Sequence, residues 1–183
     1  MKMAMVAVVG VGVVLTAGCG GSDSSSEPAV TTTPATVPTV YRLGQDVDNG
    51  GIVVNVQQIR TESAIEARDA GGGYVDRAAP DGQKFVVLDS RVTNHTQSGI
   101  DLTCGPTIGN RFVDAQNRQF DALAGLDTVQ GNRACGDAVP PGSDGQVQWV
   151  FAVPADSVPK AFGFYNTATQ QPADVKVVDL SAS

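Results

Sequence analysis

The chain has 183 residues, 42% of them hydrophobic, and 12 Lys and Arg against 19 Asp and Glu give a net charge of −7. That balance excludes the concentrated basic face that nucleic acid requires and electrostatic adhesion to an anionic lipid surface. A single histidine and three cysteines, with no C-x-x-C pair, leave few ligands for a metal centre.

Residues 1–18 carry the three parts of a secretory signal: Lys2 as the one charge, an apolar or small run from Met3 to Leu15, and the small residues Thr16-Ala17-Gly18. The run is too short for a spanning helix, which needs about 20 apolar residues. Thr16-Ala17-Gly18-Cys19, after Leu15, resembles the lipobox of bacterial lipoproteins. That resemblance implies a diacylglyceryl group on the Cys19 thiol, cleavage before it, and a membrane partner reached through two acyl chains, enough for stable anchoring. Leu15 stands one place earlier than the commonest pattern. Cleavage would leave 11 basic and 19 acidic side chains, because Lys2 departs with the leader.

Residues 19–40 follow as a Ser/Thr/Pro stretch with Pro28, Pro34 and Pro38 and almost nothing to bury. Such a composition predicts a disordered stalk, reaching about 25 Å as a coil and about 65 Å when extended. Its Thr-Pro clusters are compatible with O-glycosylation or with a bare spacer.

The remainder, 41–183, reads as one β-rich domain. Asp48-Asn49-Gly50-Gly51 between Tyr41–Val47 and Ile52–Arg60 is a strong hairpin signal, and a phase slip at Gln58-Ile59 marks a bulge. Thr61–Gln83 reads as a long loop, either functional or disordered, with a short helix over Glu62–Asp69 ending at Gly71-Gly72-Gly73. Lys84–Asn94 is a strand whose first half is apolar on both faces. Ile100-Asp101-Leu102 begins another, and Arg111–Phe120 forms a hairpin about Asp114–Asn117. Asp121–Ala134 is a loop. Gly145–Val153 alternates, with Val147, Trp149, Phe151 and Val153 on one face, which makes the only Trp a core residue. Ala161–Tyr165 and Val175–Leu180 close the chain. The count is eight or nine short strands without βαβ alternation, which predicts an antiparallel β-sandwich.

With Cys19 assigned to the lipid, Cys104 and Cys135 remain as an even pair in an exported, oxidising setting and predict a disulfide. Two metal thiolates are the rival reading, and the other ligands are missing.

Tyr41-Arg42-Leu43-Gly44-Gln45, Gly82–Leu88 running on to Val92-Thr93-Asn94, Phe112–Phe120, Val139-Pro140-Pro141-Gly142 and Trp149–Pro154 follow in an order that resembles an immunoglobulin-like domain of unknown function. That domain is common in lipoproteins of Gram-positive bacteria and actinobacteria, and the mycobacterial secreted immunoprotective antigen has a similar fold. The resemblance spans Tyr41 to about Leu180 and implies an immunoglobulin-like sandwich. It carries no catalytic residue. The Thr61–Gln83 insertion and the cysteine pair depart from it.

Chemistry is sparse. Asp46-Val47-Asp48-Asn49-Gly50-Gly51 has the start of a calcium loop, but Gly50 and Gln57 stand where ligands belong. Gly142-Ser143-Asp144-Gly145 lacks the first Gly of a nucleophile elbow, having Pro141 there, and His95 lies in a turn. No catalytic residue, metal or cofactor is assigned. The expectation is therefore a non-catalytic binding or interaction module on the extracytoplasmic face of the cell membrane, meeting an envelope or extracellular partner through Thr61–Gln83, with Tyr74 and Arg77, or through Asp121–Ala134. A carrier of a small ligand or metal in the envelope is the alternative.

Overall fold

A computed structural model describes residues 39–105, 107–169 and 174–181. The leader, Cys19 and nearly all of the stalk lie outside them. The strands are β1 (Val40–Arg42), β2 (Asp46–Asn49), β3 (Ile52–Glu62), β4 (Ala64–Arg68), β5 (Tyr74–Ala78), β6 (Gln83–Asn94), β7 (Ile108–Asp114), β8 (Gln119–Phe120), β9 (Asp144–Pro154), β10 (Pro159–Asn166) and β11 (Lys176–Asp179). Nine of them build two sheets, β1-β11-β10-β7-β8 and β2-β3-β6-β9, and β4 and β5 pair separately as a two-stranded ribbon. The chain is a β-sandwich. Every strand pair is antiparallel except β1 with β11, which run parallel with Val40 opposite Val177. This departs from an all-antiparallel expectation: the first and last strands among the described residues meet side by side.

The core lies between the sheets. Trp149 stacks on Phe162 with ring centroids 4.9 Å apart, and Phe112 meets Phe151 at 5.5 Å. Trp149 and Phe151 come from β9 in one sheet, Phe112 and Phe162 from β7 and β10 in the other, so these pairs bridge the layers as sandwich packing requires. Val47, Val54, Leu88, Val92, Val147 and Val178 fill the same layer, all fully buried.

The Asn49–Ile52 hairpin forms as its sequence demands. Its two central residues, Gly50 and Gly51, both have positive φ, at 59° and 83°, the requirement of the turn that matches strand twist. The register slips between Val56 and Gln58, so Gln57 is the extra residue of a bulge. In β6 the run Phe85-Val86-Val87-Leu88 is buried on both faces. Arg111–Phe120 is a hairpin, closed by an Asp114 N–H bonded to the Arg118 carbonyl, a residue pair with Asn117 in the left-handed region between them.

Four further expectations are corrected. Tyr41–Val47 is not one strand: Leu43-Gly44 turns the chain, and β1 and β2 belong to different sheets. Ile100–Leu102 contributes a single bridge, Ile100 to Val139, rather than a strand. Glu62–Asp69 contains no helix, and Thr61–Gln83 is not a structureless loop. Its residues form the end of β3 and the β4–β5 hairpin. Glu, Ala and Arg favour helix, but Ile65 and Ala67 recur with period two and are both buried, while a strand lets them cover apolar residues on the outer side of the second sheet.

Candidate functional site

The outer face of the β2-β3-β6-β9 sheet carries Phe85, Val87 and Val150, a strip that would be exposed in a bare sandwich. Two segments cover it. Ile65 of β4 joins the same apolar cluster, as do Leu126 and Val129 from the 121–135 loop, and Ala67 of β4 is buried as well. The loop runs along β9: Leu123 N–H donates to the Val150 carbonyl, and Asn132 both accepts from the Gln148 N–H at 2.7 Å and donates to its carbonyl at 3.0 Å. The loop also pairs with β4, through an Ala67–Val129 bridge and a bond from the Gln130 N–H to the Glu66 carbonyl. The two regions expected separately as partner-binding surfaces are thus one surface.

The loop is held at its end by the Cys104–Cys135 disulfide, with Cα atoms 5.3 Å apart. Asp101 reinforces it. One carboxylate oxygen accepts from the Thr103 and Cys104 N–H groups at 2.9 Å each, and the other from the Gly136 N–H at 2.8 Å. Burial pushes this carboxyl up, but the three N–H groups and the Thr103 hydroxyl outweigh it and hold it at about 2. Asp101 therefore grips the backbone beside both cysteines independently of the sulfur bond. Asp127 places a carboxylate oxygen within 4.8 Å of both sulfurs, the one group of metal-ligand side chains so close among the described residues. Both sulfurs are in the disulfide, so the cluster offers a single carboxylate.

β5 stands outermost. All five of its residues are exposed, with Tyr74 at 42% and Val75 at 48%. The tip is stiffened by Asp69, whose Oδ1 accepts from the Gly71 and Gly73 N–H groups. Arg68 lies 5.7 Å from the centre of the Tyr74 ring and donates to its hydroxyl at 3.3 Å. That hydrogen bond is the leading cause that raises the Arg68 guanidinium, with a smaller share from the Asp127 charge. Tyr74 and Arg77 both lie on β5 but on opposite faces: Tyr74 sits across from Arg68, Arg77 across from Ile65.

At the base of the hairpin a cleft of about 260 Å³ is lined by Arg60, Glu62, Glu66, Asp76, Gln130 and Gln148, among others. Arg60 is fully engaged there. It donates to Asp89 at 2.9 and 3.3 Å, to Glu62 at 3.1 Å and to Gln148 at 3.0 Å, and the Asp89 bond leads in raising its guanidinium. Glu66 and Asp76 are cross-strand partners. The lining carries one positive and three negative side chains. The sequence singled out Tyr74 and Arg77 on the hairpin but none of these cleft residues, since Arg60 and Gln148 lie 88 positions apart.

The other residues considered for chemistry are placed elsewhere. Asp46 accepts from Asn55 at 2.7 Å and Arg91 at 3.3 Å, with the Asn55 bond leading in lowering its carboxyl. Asp48 accepts from the Gly51 N–H. His95 is exposed in its turn. Cys19 lies outside the described residues.

No family model and no curated protein matches this sequence. Among solved structures it is similar to an uncharacterized beta-sandwich protein from Clostridium difficile 630, with 9% identity, a TM-score of 0.53, and coverage of 80% of this chain and 97% of that one. It is similar also to the yjhA protein from Bacillus subtilis, with 12% identity, a TM-score of 0.50, and coverage of 76% and 99%. At these identities the likeness is one of fold alone, a β-sandwich.

Proposed function

We propose that this chain is a lipid-anchored envelope protein whose β-sandwich serves as a non-catalytic binding module, and that the hairpin–loop surface is what it presents. The observation that carries the reading is the ribbon itself: β5 is exposed along its whole length, Tyr74 and Val75 included, on a hairpin backed by the disulfide-held 121–135 loop. Two aromatic or apolar side chains held on a stiff support are the usual anchor of a protein interface. The resemblance of Thr16–Cys19 to a lipobox supports anchoring at the extracytoplasmic face. That of 41–180 to the immunoglobulin-like domain of bacterial lipoproteins supports a sandwich whose strands hold loops in place, a usual way to present a binding surface.

Crosslinking in intact cells tests it. Capture of a defined envelope partner should be lost when 64–78 is replaced by a two-residue turn, with the sandwich still folded; a silent replacement would remove the surface from consideration. Cys19→Ala should release the protein from membranes, and a variant that stays bound would overturn the anchor.

A second reading, carriage of a small apolar ligand, is favoured by one feature. The outer face of the first sheet has a trough of about 260 Å³ lined by Val113, Ala161, Gly163, Tyr165, Val175 and Val177. Thermal shifts across a lipid panel check it, and a flat response would rule it out.

A further inference from the structure

The hydrogen bonds at the two ends of the hairpin fix which way each backbone group of β5 points. The Asp69 N–H donates to Gly73 and the Ala79 N–H to Ser63, so the bonded pairs of the ribbon are 63/79, 65/77, 67/75 and 69/73. Val75 and Arg77 therefore turn their N–H and C=O groups toward β4. Tyr74, Asp76 and Ala78 turn theirs away, on the side where no strand lies among the described residues. The inner strand obeys the same phase: the Glu66 carbonyl, which points away from β5, is taken by Gln130. Pro, a bulge and a cover are three of the devices that blunt an edge strand, and charged side chains, here Asp76 and Arg77, are another. β5 has no Pro, its register runs without a break, and its side chains are exposed.

Asp76 connects this edge to the cleft. Its backbone belongs to the free edge, and its side chain lines the cleft with Glu62 and Glu66. Asp76 and Glu66 face each other at a non-bonded pair, where Cβ atoms come within about 4.5–5.5 Å and like charges repel. The only cation in the lining, Arg60, already serves Asp89, Glu62 and Gln148. Resting on the reading of this surface as the binding surface, we propose that β5 accepts an extended, cationic peptide segment of a partner protein as an added strand. The partner backbone pairs with Tyr74, Asp76 and Ala78, and a Lys or Arg side chain enters the cleft between Glu66 and Asp76. A second copy of this chain fits the edge less well. Pairing about Asp76 sets that carboxylate against its own copy.

The test titrates the full chain with two ten-residue peptides, one alternating Lys and Thr, the other Glu and Thr, and follows binding by anisotropy and β5 by amide exchange. The Lys peptide should bind, and exchange at Tyr74, Asp76 and Ala78 should slow at least about tenfold, more than at Val75 and Arg77, which the hairpin already protects. Asp76→Lys should weaken binding by at least about tenfold, and raised salt should weaken it further. The same Lys peptide N-methylated at alternate residues should lose binding without any change to the protein. Equal binding of the Glu peptide, or no slowing at β5, overturns the proposal, as does slowing that rises with protein concentration alone. If hairpin replacement abolishes partner capture in cells while the Lys peptide leaves β5 unchanged, strand addition falls and the surface reading stands.

Discussion

Removing the Cys104–Cys135 bond tests whether the hairpin's support is chain entropy or local bonding. The two cysteines are 31 positions apart. Closing a loop of that length removes about 12 cal/mol/K from the unfolded chain, or about 3.7 kcal/mol at 25 °C. Asp101 bonds to the Thr103, Cys104 and Gly136 backbone, so the folded loop keeps its position when both cysteines become Ser, and the loss is confined to the unfolded state. The double variant should therefore unfold at lower urea, by about 3–4 kcal/mol with m somewhat raised because the unfolded chain is freer to expand, and melt roughly 10 °C lower. Amide protection at Gln130, which pairs with Glu66, should fall by no more than the global loss. A deficit under about 1 kcal/mol would refute the entropic account. Selective loss of Gln130 protection would instead show that the sulfur bond positions the loop.

Other expectations follow from single sites. Trp149→Ala removes a fully buried ring stacked on Phe162 and should cost about 3–5 kcal/mol by chemical denaturation. Gly145→Ala would drive a methyl against Val139 and within 2.8 Å of Leu102 Cδ1, and should cost about 1–3 kcal/mol although glycine is the worse strand former. The Asp101 carboxyl sits near 2 when folded, below the usual carboxylate value, so its contribution is complete above about pH 4 and disappears as pH falls toward 2. For this half-buried group, screening by solvent leaves about 1 kcal/mol. Asp101→Asn should flatten that part of the stability–pH curve, and an unchanged acid limb would contradict the assignment.

The elements that could be read in advance are those where local chemistry and the final packing agree. Gly50-Gly51 satisfies a turn with two positive φ angles, and the alternation of Val147, Trp149, Phe151 and Val153 places one face of β9 inside. Glu62–Arg68 went the other way. Its composition is helical, and only the apolar strip of Phe85, Val87 and Val150, brought together by distant strands, makes a strand the better cover. The sign was present in Ala-Ile-Glu-Ala-Arg and Tyr-Val-Asp-Arg-Ala flanking Asp-Ala-Gly-Gly-Gly, two alternating runs about a glycine turn. The cleft left no such trace. Arg60 and Gln148 meet through the register of β3, β6 and β9, and Asp76 joins them because the β4–β5 ribbon crosses the same sheet face, so their charge balance is a tertiary property.

The parallel pairing of β1 with β11 has a mechanical consequence. Tension entering the domain through Thr39 arrives first at Val40, and pulling back along β1 loads its three residue pairs, Val40–Val177, Tyr41–Val178 and Arg42–Asp179, together in shear. Pulling across the sheet would peel them one at a time. A domain held from its N-terminal side would thus be stiffest when load and strand are aligned, and the weakest link under oblique force would be this three-residue seam rather than the aromatic core.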